Sequence, residues 1–186
     1  MESHQLHTPD TAHWHALVTV AEARADCCLA LELESYLVKL LLRYVREGQK
    51  AILPQRRRSS PGTQNTESAA QFRELGDQCL LFAGMMPEQA RRWGLPLSHF
   101  VETGRNAYRK LAEIGGDGLY MQLSDAFVSI MDVLQAMREL DQVPAQRDLL
   151  ETYEQWSSTG SQRAFRLLRN EAGGSLPVRS LSQCRH

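Results

Sequence analysis

The sequence predicts an all-α protein, an irregular bundle of about seven helices with three of them long. Three observations carry that prediction. Apolar residues recur at helical spacing along most of the chain, as in Leu29, Leu33, Tyr36, Leu37, Leu40, Leu41 and Tyr44. β-branched residues are scarce beside Leu, Ala, Gln, Glu and Arg, a composition that favours helix. No segment reads as a convincing strand, and no internal repeat of about 20–50 residues suggests a solenoid.

The first ten residues are polar and read as a loose N-terminus. Asp10 or Thr11 caps a first helix that reaches about Ala25, with Trp14, Leu17, Val18 and Ala21 inward. Asp26 is expected to cap the second helix, which ends near Gly48. Residues 49–67, with two prolines and Arg56, Arg57 and Arg58, read as a mobile loop. Ser68 starts a third helix with Gln71 as its capping-box partner. Its main stripe is Phe72, Leu75, Cys79, Phe82, Ala83 and Met86, and the run from Cys79 to Met86 is apolar enough to be buried all round.

Pro87 opens a short helix that Gly94 closes. Ser98 is the expected N-cap of the next, with Phe100, Gly104, Ala107, Tyr108 and Leu111 inward and Gly115-Gly116 as its stop. From Asp117 or Gly118 one long helix is expected to run to about Leu140, carrying Leu119, Leu123, Phe127, Ile130, Leu134 and Met137. Pro144 breaks the chain before a shorter helix over 145–156 with Leu149, Leu150, Tyr153 and Trp156. Ser161 caps a last helix on which Arg163, Arg166 and Arg169 form the solvent face. Residues 11–174 thus read as a single helical domain, and 175–186 as a flexible tail.

At 186 residues the chain is long enough for one sizeable core. Its formal net charge of −1 disfavours a dedicated nucleic-acid binder. The apolar runs are too short to span a bilayer, and no signal peptide is visible. Four cysteines without a CxxC pattern suit a reduced, cytoplasmic setting. The histidines His4, His7, His13, His15 and His99 do not form a metal-ligand pattern, and no Glu-x-x-His occurs. No phosphate-binding loop or nucleophile motif is present, so no catalytic residue, metal or cofactor is expected.

The residue out of place is Glu34. At about 100° per residue, Glu32, Ser35, Lys39, Arg43 and Arg46 share one polar sector, whereas Glu34 projects among Ala30, Leu37, Val38, Leu41 and Val45. A carboxylate there must be paired, protonated or part of a site. Arg73 and Asp77 lie four apart on the third helix beside its apolar half, and Arg105 holds a similar flank on the fifth. The expectation is that Glu34, Arg73, Asp77 and Arg105 meet near the bundle centre, with Tyr36 or Tyr108 adjacent, and that Glu34 bonds to one of the two arginines. Such a cluster is either a structural ion-pair network or a ligand pocket built on arginine forks.

The span from Glu74 to Leu111 combines Leu-Gly-Asp, an apolar stretch with Gly84, a Pro-Glu turn, a Gly-Leu-Pro-Leu link, Gly104 and Ala107-Tyr108. With SYLVKLLLRYV before it and LETYEQWSSTG after it, it resembles a set of uncharacterised bacterial all-helical proteins. The resemblance implies a bacterial helical domain and carries no catalytic residue.

The function expected from sequence is therefore non-enzymatic: association, as a homodimer with a regulatory role, using Trp14, Trp93, Tyr153 and Trp156 as interface aromatics. The alternative is a small-ligand or anion-binding protein using Glu34, Arg73, Asp77, Arg105 and Tyr108. A weaker one is an enzyme with a buried carboxylate as general base.

Overall fold

The structure, a computed structural model, describes residues 11–47, 69–140 and 148–171. The expected loose N-terminus at 1–10, the mobile loop at 49–67 with its arginines, the Ser68 cap and the tail at 175–186 lie outside the described residues, as do Gly48 and Pro144. The described residues form an all-α bundle without strands. Its helices run α1 Thr11–Ala25, α2 Leu31–Glu47, α3 Ala69–Met85, α4 Pro87–Arg92, α5 Leu97–Gly115, α6 Gly118–Asp125, α7 Phe127–Arg138, α8 Leu149–Thr159 and α9 Gln162–Glu171.

The core lies where α3 packs on α5 and α7, with α1 laid across α7 and α2. Leu37 and Leu41 of α2, Leu80 and Phe82 of α3, Tyr108 of α5 and Phe127, Ile130, Met131 and Leu134 of α7 are fully buried. Each such aliphatic or phenyl side chain contributes roughly 1.5–3 kcal/mol on leaving water. The expected all-round burial of α3 holds from Cys79 to Gly84, while Leu75, expected in the stripe, is exposed. The buried face turns instead onto Gly76 and Asp77, where α5 crosses. Gly104 makes that crossing close. A Cβ there would strike the Phe127 ring and stand 2.9 Å from the Cys79 Cβ.

The α1–α2 corner departs from expectation. Asp26 does not cap α2; it ends α1 with a left-handed φ of 51°. The Asp26 amide donates to the Ala23 carbonyl and the Cys27 amide to that of Glu22, the paired bonds of a Schellman motif. The Glu22 carboxylate then accepts from the Leu29 amide at 2.7 Å, and α2 begins only at Leu31. Glu34 consequently falls in the first turn of α2, where the helix dipole favours a negative charge.

The long helix expected over 117–140 is two. Asp117 caps α6 by accepting from the Leu119 amide, but the run breaks at Ala126. Arg105 Nε donates to the Ser124 carbonyl at 3.0 Å, and Ser124 Oγ donates to the Arg105 carbonyl at 3.1 Å. That exchange takes a backbone acceptor that a continuous helix would use for itself. Ser98 is likewise not a cap, because α5 starts a residue earlier, after Pro96, with no side-chain cap.

At the other end, Asp148 caps α8 and left-handed Gly160 closes it. Ser161 caps α9, its Oγ accepting from the Ala164 amide at 3.0 Å while donating to Asp132 at 2.6 Å. Asp132 also accepts from the Arg163 amide. Burial pushes the Asp132 carboxyl upward, against the lowering effect of the Ser161 hydroxyl and of that amide. Arg163, expected on the solvent face, is buried and pairs with Glu139 at 2.5 Å. Arg166 pairs with the exposed Asp26, while Ala164 and Leu168 of α9 are buried.

Candidate functional site

The candidate site is built on Asp77, which is 1% exposed. Three helices aim at it. On α2, Tyr36 and Arg43 are seven residues apart and so share a face. On α3, Arg73 precedes Asp77 by one turn. On α5, Tyr108 enters over Gly76, where a Cβ would come within 2.5 Å of the phenol ring.

Tyr36 and Tyr108 both donate to Asp77 Oδ1, at 2.6 and 2.7 Å. Arg43 donates to Oδ2 at 2.5 Å, and the Arg73 Nε stands 3.8 Å from the same oxygen. Burial, and then the negative charge of Asp77, push both phenols well above the ordinary tyrosine range, so they act as donors. Tyr120 completes an aromatic wall, edge-on to Tyr36 and stacked on Tyr108. A carboxylate offers about four acceptor positions, and three of them are taken here by Tyr36, Tyr108 and Arg43.

Above Asp77 lies a groove of about 340 Å³ lined by Arg43, Tyr44, Ala70, Arg73, Glu74, Asp77, Gln78 and Leu81. Arg73 is half-exposed at its edge, and 3.8 Å is its only ion-pair approach among the described residues. Glu74 is exposed and, among the described residues, accepts one bond, from Gln78 Nε2 at 3.2 Å. Arg73 and Glu74 are thus the charged groups the groove presents, the other two being engaged with each other.

Arg73, Asp77 and Tyr108 come together as expected. Glu34 and Arg105 do not join them. Glu34 is 18% exposed and bonds through Oε1 to His15 Nδ1 at 2.7 Å, not to either arginine. It faces α1 and not α3. Arg105 is spent on the α6–α7 break. Arg43, placed by sequence in the polar sector of α2, takes the position expected for Arg105. The signal that could have found it is its spacing of seven from Tyr36. His15, read as solvated, was found only through the fold.

Among the described residues, no three His, Cys, Asp or Glu side chains gather as a metal set, and no described helix is long and apolar enough to cross a membrane. The Cys79 thiol is pushed up to about 12 by burial, and Cys27 to about 11 by burial and then by Asp132. Both stay protonated at neutral pH and are poor nucleophiles. Comparison with family models, with curated proteins and with solved structures finds no match for this chain. No residue role is therefore carried over from another protein.

Proposed function

We propose that this protein binds a small molecule in the groove between α2 and α3. One observation carries the reading: a buried ion-pair cluster forms the floor of an open groove, and among the described residues Arg73 at its edge has only a long ion-pair contact. Ion pairing between elements accounts for Asp77, Tyr36, Tyr108 and Arg43. It leaves the Arg73 fork for a carboxylate or phosphate. The groove volume is at the lower end of the range for small-ligand sites, about 300–1,000 Å³. This reverses the order reached from sequence, where association came first.

A thermal-shift panel of acetate, inorganic phosphate and free amino acids tests it. At ten times the dissociation constant a ligand stabilises by about 1.4 kcal/mol, or roughly 3–6 °C in Tm for a protein of this size. At least one compound is expected to produce such a shift in the wild type and none in Arg73→Gln. No shift across the panel would sink the reading.

A second reading, association with another copy of the chain, is favoured by α8. No residue of α8 is buried, while Leu149, Leu150 and Tyr153 are 51%, 64% and 49% exposed. A polar chain ties α8 to the core, from Gln155 Nε2 to Gln135 Oε1 at 2.8 Å and from Gln135 Nε2 to the Ala83 carbonyl. Leu149, Leu150 and Tyr153 are left outward, while Trp156 packs on Phe165. A helix of this length spans only about 16 Å, less than the roughly 800 Å² per partner of a standard interface requires. The dimer expected is weak, its mass by light scattering rising with concentration toward about 1 mM. Leu150→Glu should abolish the rise, and a constant monomer mass in the wild type would exclude the dimer.

A further inference from the structure

We infer that the groove takes a small zwitterion with an α-amino-acid head group, its carboxylate on Arg73 and its ammonium on Glu74. This rests on the ligand-binding reading above and names the ligand class.

The charge balance of the lining argues for it. Arg43, Arg73, Glu74 and Asp77 sum to zero formal charge. Arg43 is bonded to Asp77 Oδ2 at 2.5 Å, and both phenols donate to Oδ1. What remains among the described residues is one cation, held loosely at 3.8 Å, and one anion, touched by a neutral amide. A simple anion would satisfy Arg73 but would stand near Glu74 unpaired, and a simple amine would have the reverse fault. Like charges left facing each other are penalised, which makes the mismatch a source of selectivity.

The placement fits as well. Arg73 and Glu74 are consecutive on one helix, so their side chains leave the backbone about 100° apart and flank a common strip of surface. An α-amino acid carries its two charges on one carbon and can reach both sides of that strip. The fork of arginine suits the carboxylate, while the carboxylate of Glu74 accepts from an ammonium. Beside the Gln78 amide, the lining includes Tyr44, Ala70 and Leu81, whose apolar and aromatic surface suits an aliphatic side chain.

The test uses three matched probes on the full chain: L-leucine, 4-methylpentanoate, which lacks the ammonium, and 3-methylbutylamine, which lacks the carboxylate. Binding is read by calorimetry and by the Arg73 Nε–H signal in a proton–nitrogen spectrum. Leucine is expected to bind, with each analogue about tenfold weaker or worse. Arg73→Gln should lose leucine. Glu74→Gln should bring leucine down to the level of 4-methylpentanoate. Because both residues are exposed, each variant should keep the wild-type melting temperature in the absence of probe.

If 4-methylpentanoate binds as tightly as leucine, the zwitterion is wrong while the groove stands as an anion site. The same holds if phosphate or acetate binds and leucine does not. If none of these compounds binds, both readings fall.

Discussion

Asp77→Ala is expected to cost about 3–5 kcal/mol of stability, the largest effect of any single polar substitution here. The wild-type carboxylate receives two phenols and a guanidinium in a site closed to water. Alanine deprives the fully buried Tyr108 hydroxyl, the partly buried Tyr36 hydroxyl and Arg43 of Asp77. Each orphaned group is charged its own desolvation cost, which is why the loss exceeds that of one hydrogen bond. The measurement is the urea midpoint at unchanged slope, expected to fall by about 2 M. Tyr108→Phe removes one donor and leaves Asp77 its other partners, so it should cost only about 1 kcal/mol. A loss below 1 kcal/mol for Asp77→Ala would show that the cluster is not a structural hub.

Gly104→Ala is expected to destabilise by about 2–3 kcal/mol, against the usual gain from alanine in a helix. The added methyl group would drive into the Phe127 ring and crowd Cys79. Phe127 has no room to retreat, because it is fully buried between α5, α3 and Tyr108. Gly115, the last residue of the same helix, is the control. A Cβ there meets nothing within 4 Å, so Gly115→Ala should stabilise by about 0.5 kcal/mol. Thermal midpoints decide it. Equal signs for the two substitutions would mean that the close α5 crossing does not exist in solution.

Much of the bundle was legible because it depends on nearest neighbours. The stops at Gly94, Gly116 and Gly160 follow from the ease with which glycine takes positive φ. The caps at Asp117 and Ser161 follow from a side-chain oxygen beside free backbone amides. The burial of Asp77 followed from its place beside an all-apolar half-helix. Half of the candidate site was legible on the same grounds, since Arg73 and Asp77 lie one turn apart and Tyr108 faces inward on a well-patterned helix.

The remainder was decided between elements. Asp26 is a plausible cap on paper, yet the αL end of α1 and the Glu22 bond to Leu29 delay α2 to Leu31. That delay puts Glu34 in the first turn of α2, where His15 of α1 meets it. Arg105 and Arg43 are both flank arginines in sequence. Which of them reaches Asp77 depends on how α2 and α5 cross α3, and on Ser124 offering Arg105 a carbonyl. The sequence by itself therefore determined that this chain is helical, where most helices end, and that Asp77 would be buried. Only the tertiary structure decided which charge pairs with which, because a salt bridge needs two groups within 4 Å, and that distance is set by helix crossing rather than by spacing along one helix.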